Sequence, residues 1–528
     1  MLEFRKNTSQ AEANWGAYFP WPPKIILIAF FITCSLVTAQ AKEAPAINPG
    51  CEHETAEQCL NLALEAMGGR ERLQQISTVR WHFIGHTMLM EQSYRQAPFI
   101  TSYERGTTTL DLVSNRMLSE VTLTWPESDD NQAESTTTIV VGPEGGVRRS
   151  KDADAPCSLA SIDQARDLAH FGPLRILLTA AAAPDLHFTT PEVVRSTSHS
   201  VLAFTAQGLP IRVLLNRFNH LPDAVETTKE FHDFWFFWGD VSQRIYFDNW
   251  KLAQGIEFPT NWIEERNGAL WQSRQVLKVE LNPAVEEAAF RMDASAARRS
   301  AQSAGWNRPF HVDQVKSFAP GIEFFAGPWN STIVKQEDGI VIVEAPISGV
   351  YTKGIVEEAK KRYPGLPIKA VLSTSDSWPH TGGLRYAVSQ RFPIYILDLN
   401  RPLLERMMQA PHSLDPDELE KQHTAPMWKI VPGKQVLGTG PNRLELYPLR
   451  GASTERQYMV YIPEQQLLYA SDTLVISEDG KLYDPELMSE VAQAVAREHL
   501  NVSRVFAMHQ AITPWADVLA LIQKAQPS

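Results

Sequence analysis

The chain has 528 residues, 44% of them hydrophobic and 21% charged, with a formal charge of −12. That balance excludes an intrinsically disordered protein and supplies apolar residues for two or three cored domains. No block of Lys and Arg occurs anywhere along it, so nucleic acid is not an expected partner.

Near the start, Lys24 precedes the apolar run Ile25–Val37, and Thr38-Ala39-Gln40-Ala41 supplies an A-x-A cleavage signal. The pattern predicts a secretory signal peptide over residues 1–41, a mature chain beginning at Lys42, and a secreted, periplasmic location. A run of 13 residues is shorter than the ~20 a membrane helix needs, so no stable span is expected after cleavage. Cys34 follows Thr33, where a lipoprotein signal wants a small residue, so lipidation is not expected.

Cleavage leaves Cys51, Cys59 and Cys157. The first two are close enough in sequence to bridge at the entry of the first helix, which would leave Cys157 free; three unpaired thiols is the alternative, because spacing does not fix connectivity. No C-x-x-C pair points to thiol redox chemistry.

Residues 55–66 carry apolar side chains at helical spacing and end at Gly68-Gly69, with a second short helix over 71–76. Alternating apolar and polar residues then predict strands at 79–83, 122–125, 136–141, 201–205, 211–215, 244–250 and 275–281, around a helical interlude at 162–182. The opening helix with its Gly-Gly, together with Gly239-Asp240-Val241 running on through Arg244-Ile245-Tyr246-Phe247 and Trp250 to Gly255-Ile256-Glu257-Phe258-Pro259, resembles the curved half-barrel of periplasmic lipoprotein carriers of the LolA type. The resemblance implies a mainly antiparallel β domain over residues 42–300. The aromatic residues Phe231, Phe234, Trp235, Phe236, Phe237 and Trp238 have two readings. They line an apolar pocket for a small or lipid-like ligand, or they pack the sheet core or an interdomain seam, and the usual burial of large aromatics favours packing.

The Ala-, Ser- and Arg-rich stretch Ala294–Ala304 ends this half, residues 301–316 read as a linker, and residues 317–528 alternate strands with helices in an α/β layered pattern. Strands are expected at 322–325, 331–335, 339–344, 368–372 and 394–397, with helices at 355–363, 385–391 and 401–409.

After the strand at 368–372 comes Thr374-Ser375-Asp376-Ser377-Trp378-Pro379-His380-Thr381-Gly382-Gly383. Its outline resembles the metallo-β-lactamase superfamily signature Thr-His-x-His-x-Asp-His-x-Gly-Gly. Further landmarks follow in order: Arg450-Gly451-Ala452-Ser453-Thr454 for a Gly-x-His-Thr turn, Leu467-Leu468-Tyr469-Ala470-Ser471-Asp472 for a strand ending in Gly-Asp, and Val505-Phe506-Ala507-Met508-His509 for a strand ending in a metal-binding His. The resemblance implies an αββα sandwich with a degenerate binuclear site. In this register Ser375, Ser377 and Ser453 stand where the first metal's His ligands belong, and Pro379 stands for a carboxylate of the second site. His380, Asp472 and His509 remain.

Two imidazoles and a carboxylate with an open fourth position is the ligand set of a catalytic mononuclear zinc site, and it also suits iron or manganese. Two functions stay open: an exported protein lacking standard binuclear hydrolysis that binds a small-molecule or lipid-like ligand or a partner, with no metal or one metal, or a mononuclear metal-dependent hydrolase using these three residues. Asp376 is expected to face away from the site if Ser375 and Ser377 face into it, by the alternation of an extended segment. If Ser375, Ser377 and Ser453 gather near His380 and Asp472, a metal-free nucleophile and base is a third arrangement, though no G-x-S-x-G elbow is present.

Overall fold

A computed structural model describes residues 50–89, 100–124, 134–312 and 315–525. Asn48–Ser528 form one compact unit. The apolar run at 25–37 and its cleavage position lie outside the described residues. Among the described residues no helix is long and apolar enough to cross a membrane.

The first half is a 13-stranded antiparallel sheet. Its first strand, Thr78–Leu89, pairs with its last, Ala269–Leu281, in the register Val79 opposite Leu281, so two meanders run outward from a shared centre. Helices Ala56–Ala66, Leu159–Phe171 and Ile176–Ala182 lie over one face, packing Leu60, Leu64, Phe171 and Ile176 against Trp81, Phe83, Phe204, Phe247 and Trp262. The helical interlude is therefore two helices, interrupted where Gly172-Pro173 breaks the hydrogen-bond ladder.

Thr55 caps the opening helix, its hydroxyl accepting from the Gln58 N–H while the Gln58 side chain accepts from the Thr55 N–H. Cys51 and Cys59 are disulfide-bonded with Cα atoms 5.5 Å apart, and Cys157 is a buried free thiol. Closing so short a loop restricts the unfolded chain modestly, so the Cys51→Ser/Cys59→Ser variant is expected to lose about 2–3 kcal/mol in urea denaturation. A loss below about 0.5 kcal/mol would mean that the unfolded segment is already compact.

The second half has helices on the outside and two sheets between them. A seven-stranded sheet is antiparallel up to Ile340–Val343, then continues in parallel through Ile368–Ser373, Pro393–Leu397 and Met427–Val431. A six-stranded sheet covers it. The alternation of side chains explains why Ile340–Val343 reads as an unbroken apolar run. Val341 and Val343 join Leu446, Tyr458, Val460 and Phe506 between the sheets, while Ile340 and Ile342 face Ile355, Leu384 and Leu404 on the helices Gly349–Arg362, Leu384–Ser389 and Arg401–Gln409. On the far side, helices Pro485–Arg497 and Trp515–Ala525 pack Met488, Val491 and Val518 against Met459, Leu468 and Val505. The layers are α, β, β, α.

The aromatic run forms a 3-10 turn, Phe234–Trp238, that packs at the junction of the halves, against Trp271, Trp306 and Trp378.

Candidate metal centre

The strand Ile368–Ser373 delivers the site loop to the carboxyl end of the parallel strands. Backbone and side-chain bonds hold its first residues. The Thr374 amide and hydroxyl both donate to Glu344 Oε1, the Thr374 hydroxyl pairs with Ser471 Oγ at 2.7 Å, and the Tyr458 N–H donates to Thr374 O at 3.0 Å. Glu344 is fully buried, sits at φ +71° and also accepts from the Tyr469 hydroxyl. Burial pushes its carboxyl up to about 7, against the opposing pull of His380 and the Thr374 bonds. Left-handed non-glycine residues cost energy and cluster at functional sites; here Ile347 at +70° and Ser471 at +57° flank the loop as well. None of these three carries a metal-ligand pattern in sequence, and the polar Glu344 closing an all-apolar strand was the only available signal.

The loop then closes into one helical turn, Trp378–Thr381, with Pro379 in its first turn, where a missing N–H costs nothing. The Ile347 N–H donates to Pro379 O at 2.7 Å and the Gly383 N–H to Ala345 O at 2.8 Å. A Cβ at Gly382 would stand 2.6 Å from Phe237 and 2.5 Å from Ile347 O, and one at Gly383 would stand 1.8 Å from the Thr352 hydroxyl. The Gly-Gly pair is thus required by close packing.

This turn buries His380 to 1% exposure and sets its Nε2 3.1 Å from Asp472 Oδ2; the other carboxylate oxygen lies 3.1 Å from His509 Nε2. The two imidazoles are 5.8 Å apart between ring centres, and one ligand atom from each of the three residues falls within 4.8 Å of the others. Donor atoms bound tetrahedrally at zinc distances are roughly 3.3 Å apart, so the spacing suits one ion. His380 Nδ1 makes no hydrogen bond despite its burial, while Nε2 faces only the Asp472 carboxylate. The Nε2 atoms of the two imidazoles thus face the two oxygens of one carboxylate, an arrangement that a single cation can join. The two imidazoles, outweighing the effect of burial, hold the Asp472 carboxyl well below the usual range, and Asp472, against the effect of burial, raises the His380 imidazole; without metal the group is an ion pair, and a metal would bind with loss of the His380 proton. The residues present therefore fit a single metal ion. Among the described residues no other group of three has this spacing.

The triad opens into a cavity of about 250 Å³, bordered also by Ser375, Asp376, Ser377 and Arg456. Two expectations fail here. Asp376 does not face away from the cavity, because the chain leaves the extended conformation after Ser373 and alternation no longer applies. It is 3% exposed and ion-paired with Arg456, whose Nε donates to Asp376 Oδ2 at 2.9 Å. It does not join the triad. Ser453 does not gather with His380: its hydroxyl donates to Glu486 Oε1 at 2.8 Å and its amide to Glu490 at 3.1 Å, so the helix Pro485–Arg497 holds that loop outside the cavity lining.

The Ser375 hydroxyl accepts the Ser377 amide at 3.1 Å, and no serine bonds to His380. The serine-nucleophile arrangement is absent. Arg456 was not singled out in the sequence, since nothing local marks a partner 80 residues away. A second cavity, of about 320 Å³, lies in the sheet half between helix Leu159–Phe171 and residues such as Trp262, Glu264 and Arg266.

No family model matches the chain, and no curated relative does. Among solved structures it is similar to the DIM-1 metallo-β-lactamase at 16% identity, over 40% of this chain and 98% of that one, with a TM-score of 0.31. It is similar to a metallo-β-lactamase from Pontibacter korlensis at 15% identity, over 40% and 99% of the two chains, with a TM-score of 0.31. It is also similar to the inverting sec-alkylsulfatase Pisa1 from Pseudomonas sp. at 13% identity and a TM-score of 0.30, a match spanning 40% of each chain.

Proposed function

We propose that the second half is a metallo-β-lactamase-like domain that has lost its first metal site and retains one, held by His380, Asp472 and His509, and that the protein binds a small ligand in the cavity above that ion. The observation that carries this reading is the triad itself: His380, which is buried, and His509 each set Nε2 3.1 Å from one oxygen of Asp472, with a ligand atom of each residue within 4.8 Å of the others. The α, β, β, α layering and the site's position at the strand ends support the family reading. Ser375 and Ser377 border the cavity beside His380, which supports the loss of the first site. Zinc, iron and manganese all suit the remaining set. The N-terminal half keeps its reading as a carrier-like sheet domain on its opening helix and Gly-Gly, and export remains part of the proposal on the strength of residues 24–41.

A second reading, a mononuclear hydrolase, is favoured by the open cavity beside the triad. When bound, a metal ion supplies a Lewis acid and an activated water; the chain's contribution is to fix the ligands and to border the cavity with the Asp376–Arg456 pair.

Elemental analysis of the purified full chain after dialysis separates the outcomes. The expected result is close to one equivalent of transition metal and no turnover of generic ester or lactam substrates. Metal-dependent turnover lost in His380→Ala would establish the hydrolase reading instead. Metal-free protein that takes up none on titration would end both.

A further inference from the structure

The usual partner that orients a metal-binding imidazole is missing. A ligating histidine almost always donates its second ring N–H to a carboxylate, carbonyl or water, yet the buried Nδ1 of His380 has no hydrogen bond. Asp472 fixes the ring at Nε2, no protein group holds it at Nδ1, and the packing behind its turn is supplied by the sheet half.

The five residues Phe234–Trp238 reach the His509 ring along one line of aromatic contact and the turn that carries His380 along another. Trp235 and Trp238 clamp Trp378 at ring distances of 5.1 and 5.5 Å, both edge to face, and Trp378 begins the single turn that carries His380. Phe237 meets Trp306 at 5.1 Å, Trp306 meets Trp329 at 5.5 Å, and Trp329 meets the His509 ring at 5.9 Å. The indole N–H groups of Trp235 and Trp238 have no hydrogen-bond partner, so at these positions the rings act through shape and aromatic contact.

The turn is itself fixed at both ends. Asp233 caps it, accepting the Trp235 N–H at 2.8 Å while paired with the buried Arg266 at 2.6 Å. At the other end Gly239, at φ +60°, lies against His412, and Asp240 accepts the amides of Ser413 at 2.8 Å and Leu414 at 3.0 Å. A rigid wedge pinned to both halves stands behind the metal loop.

We propose that Phe234–Trp238 is a positioning element for the metal centre: the sheet half sets the orientation of His380 through Trp378 and of His509 through Trp306 and Trp329. The proposal rests on the single-metal reading above. It assigns the N-terminal half a role in the site although none of its residues joins the metal-competent triad.

The test uses the full chain with Co(II) as the probe, comparing Trp238→Ala, Trp306→Ala and the conservative Trp238→Phe. Both rings are only half-buried, so loss of the fold is not expected, and circular dichroism checks this. Each Ala variant is expected to bind Co(II) about 10-fold more weakly, the scale of losing an orienting partner, with a changed visible d–d spectrum. Trp238→Phe is expected to restore both affinity and spectrum, which a merely stabilising role would not require. Folded Ala variants with the parent's affinity and spectrum would overturn the proposal, and Trp306→Ala decides alone if Trp238→Ala does not fold.

If the parent itself binds no Co(II), the single-metal reading fails, and hydrogen exchange of the metal-free chain then decides the wedge. Faster exchange over residues 377–381 in Trp238→Ala, or over 508–510 in Trp306→Ala, with no change over 458–462, supports positioning; unchanged exchange at these segments overturns it.

Discussion

His380→Ala is expected to abolish metal retention, lowering affinity for Zn(II) or Co(II) by at least about 100-fold, because losing a direct ligand exceeds the 10–100-fold typical of losing the groups behind one. The argument rests on how few ligands remain. With Asp376 committed to Arg456, the triad offers only His509 and Asp472 after the substitution. Asp472 would still face His509 at 3.1 Å, but two ligands do not retain the ion. Chelator competition followed spectroscopically measures the change. Affinity within about threefold of the parent would place the ion elsewhere.

Arg456→Met is expected to destabilise the fold by about 3–5 kcal/mol, because it strands a buried charge. Asp376 and Arg456 have side chains only 3% and 6% exposed, and burial already pushes the Asp376 carboxyl above its usual range with Arg456 beside it. The double variant Asp376→Leu/Arg456→Met should recover most of the loss, since replacing both partners of a buried pair by apolar groups is often neutral or stabilising. Urea denaturation of the parent, Arg456→Met, Asp376→Leu and the double variant closes the cycle. A single variant costing less than about 1 kcal/mol would mean that water reaches the pair and solvates the remaining carboxylate.

Much of this architecture was legible because it is written in periodicity and order. The unbroken run at 340–343, the helix-spaced residues at 355–363 and the Gly-Gly after His380 each reflect a local rule, and the order of landmarks places Asp472 and His509 on strand ends beside His380. Contacts made through space left no such mark. Asp376 was misplaced because alternation was carried past Ser373, where the backbone turns. Ser453 was misplaced because Glu486 and Glu490, on a later helix, compete for its loop. Glu344 and Arg456 were missed because their partners lie 30 and 80 residues away. For the aromatic run the sequence favours packing over pocket lining, since composition says that such residues are buried but not against what; Trp378 is the answer.

X-ray absorption at the metal edge of the loaded full chain tests the central claim most directly. The account predicts one ion per chain, scattering from two imidazoles and an oxygen ligand near the first shell distances of about 2.0–2.2 Å, and no metal-metal vector. Two ions with a metal-metal distance of about 3.5–4 Å, or a first shell without imidazole, would contradict it.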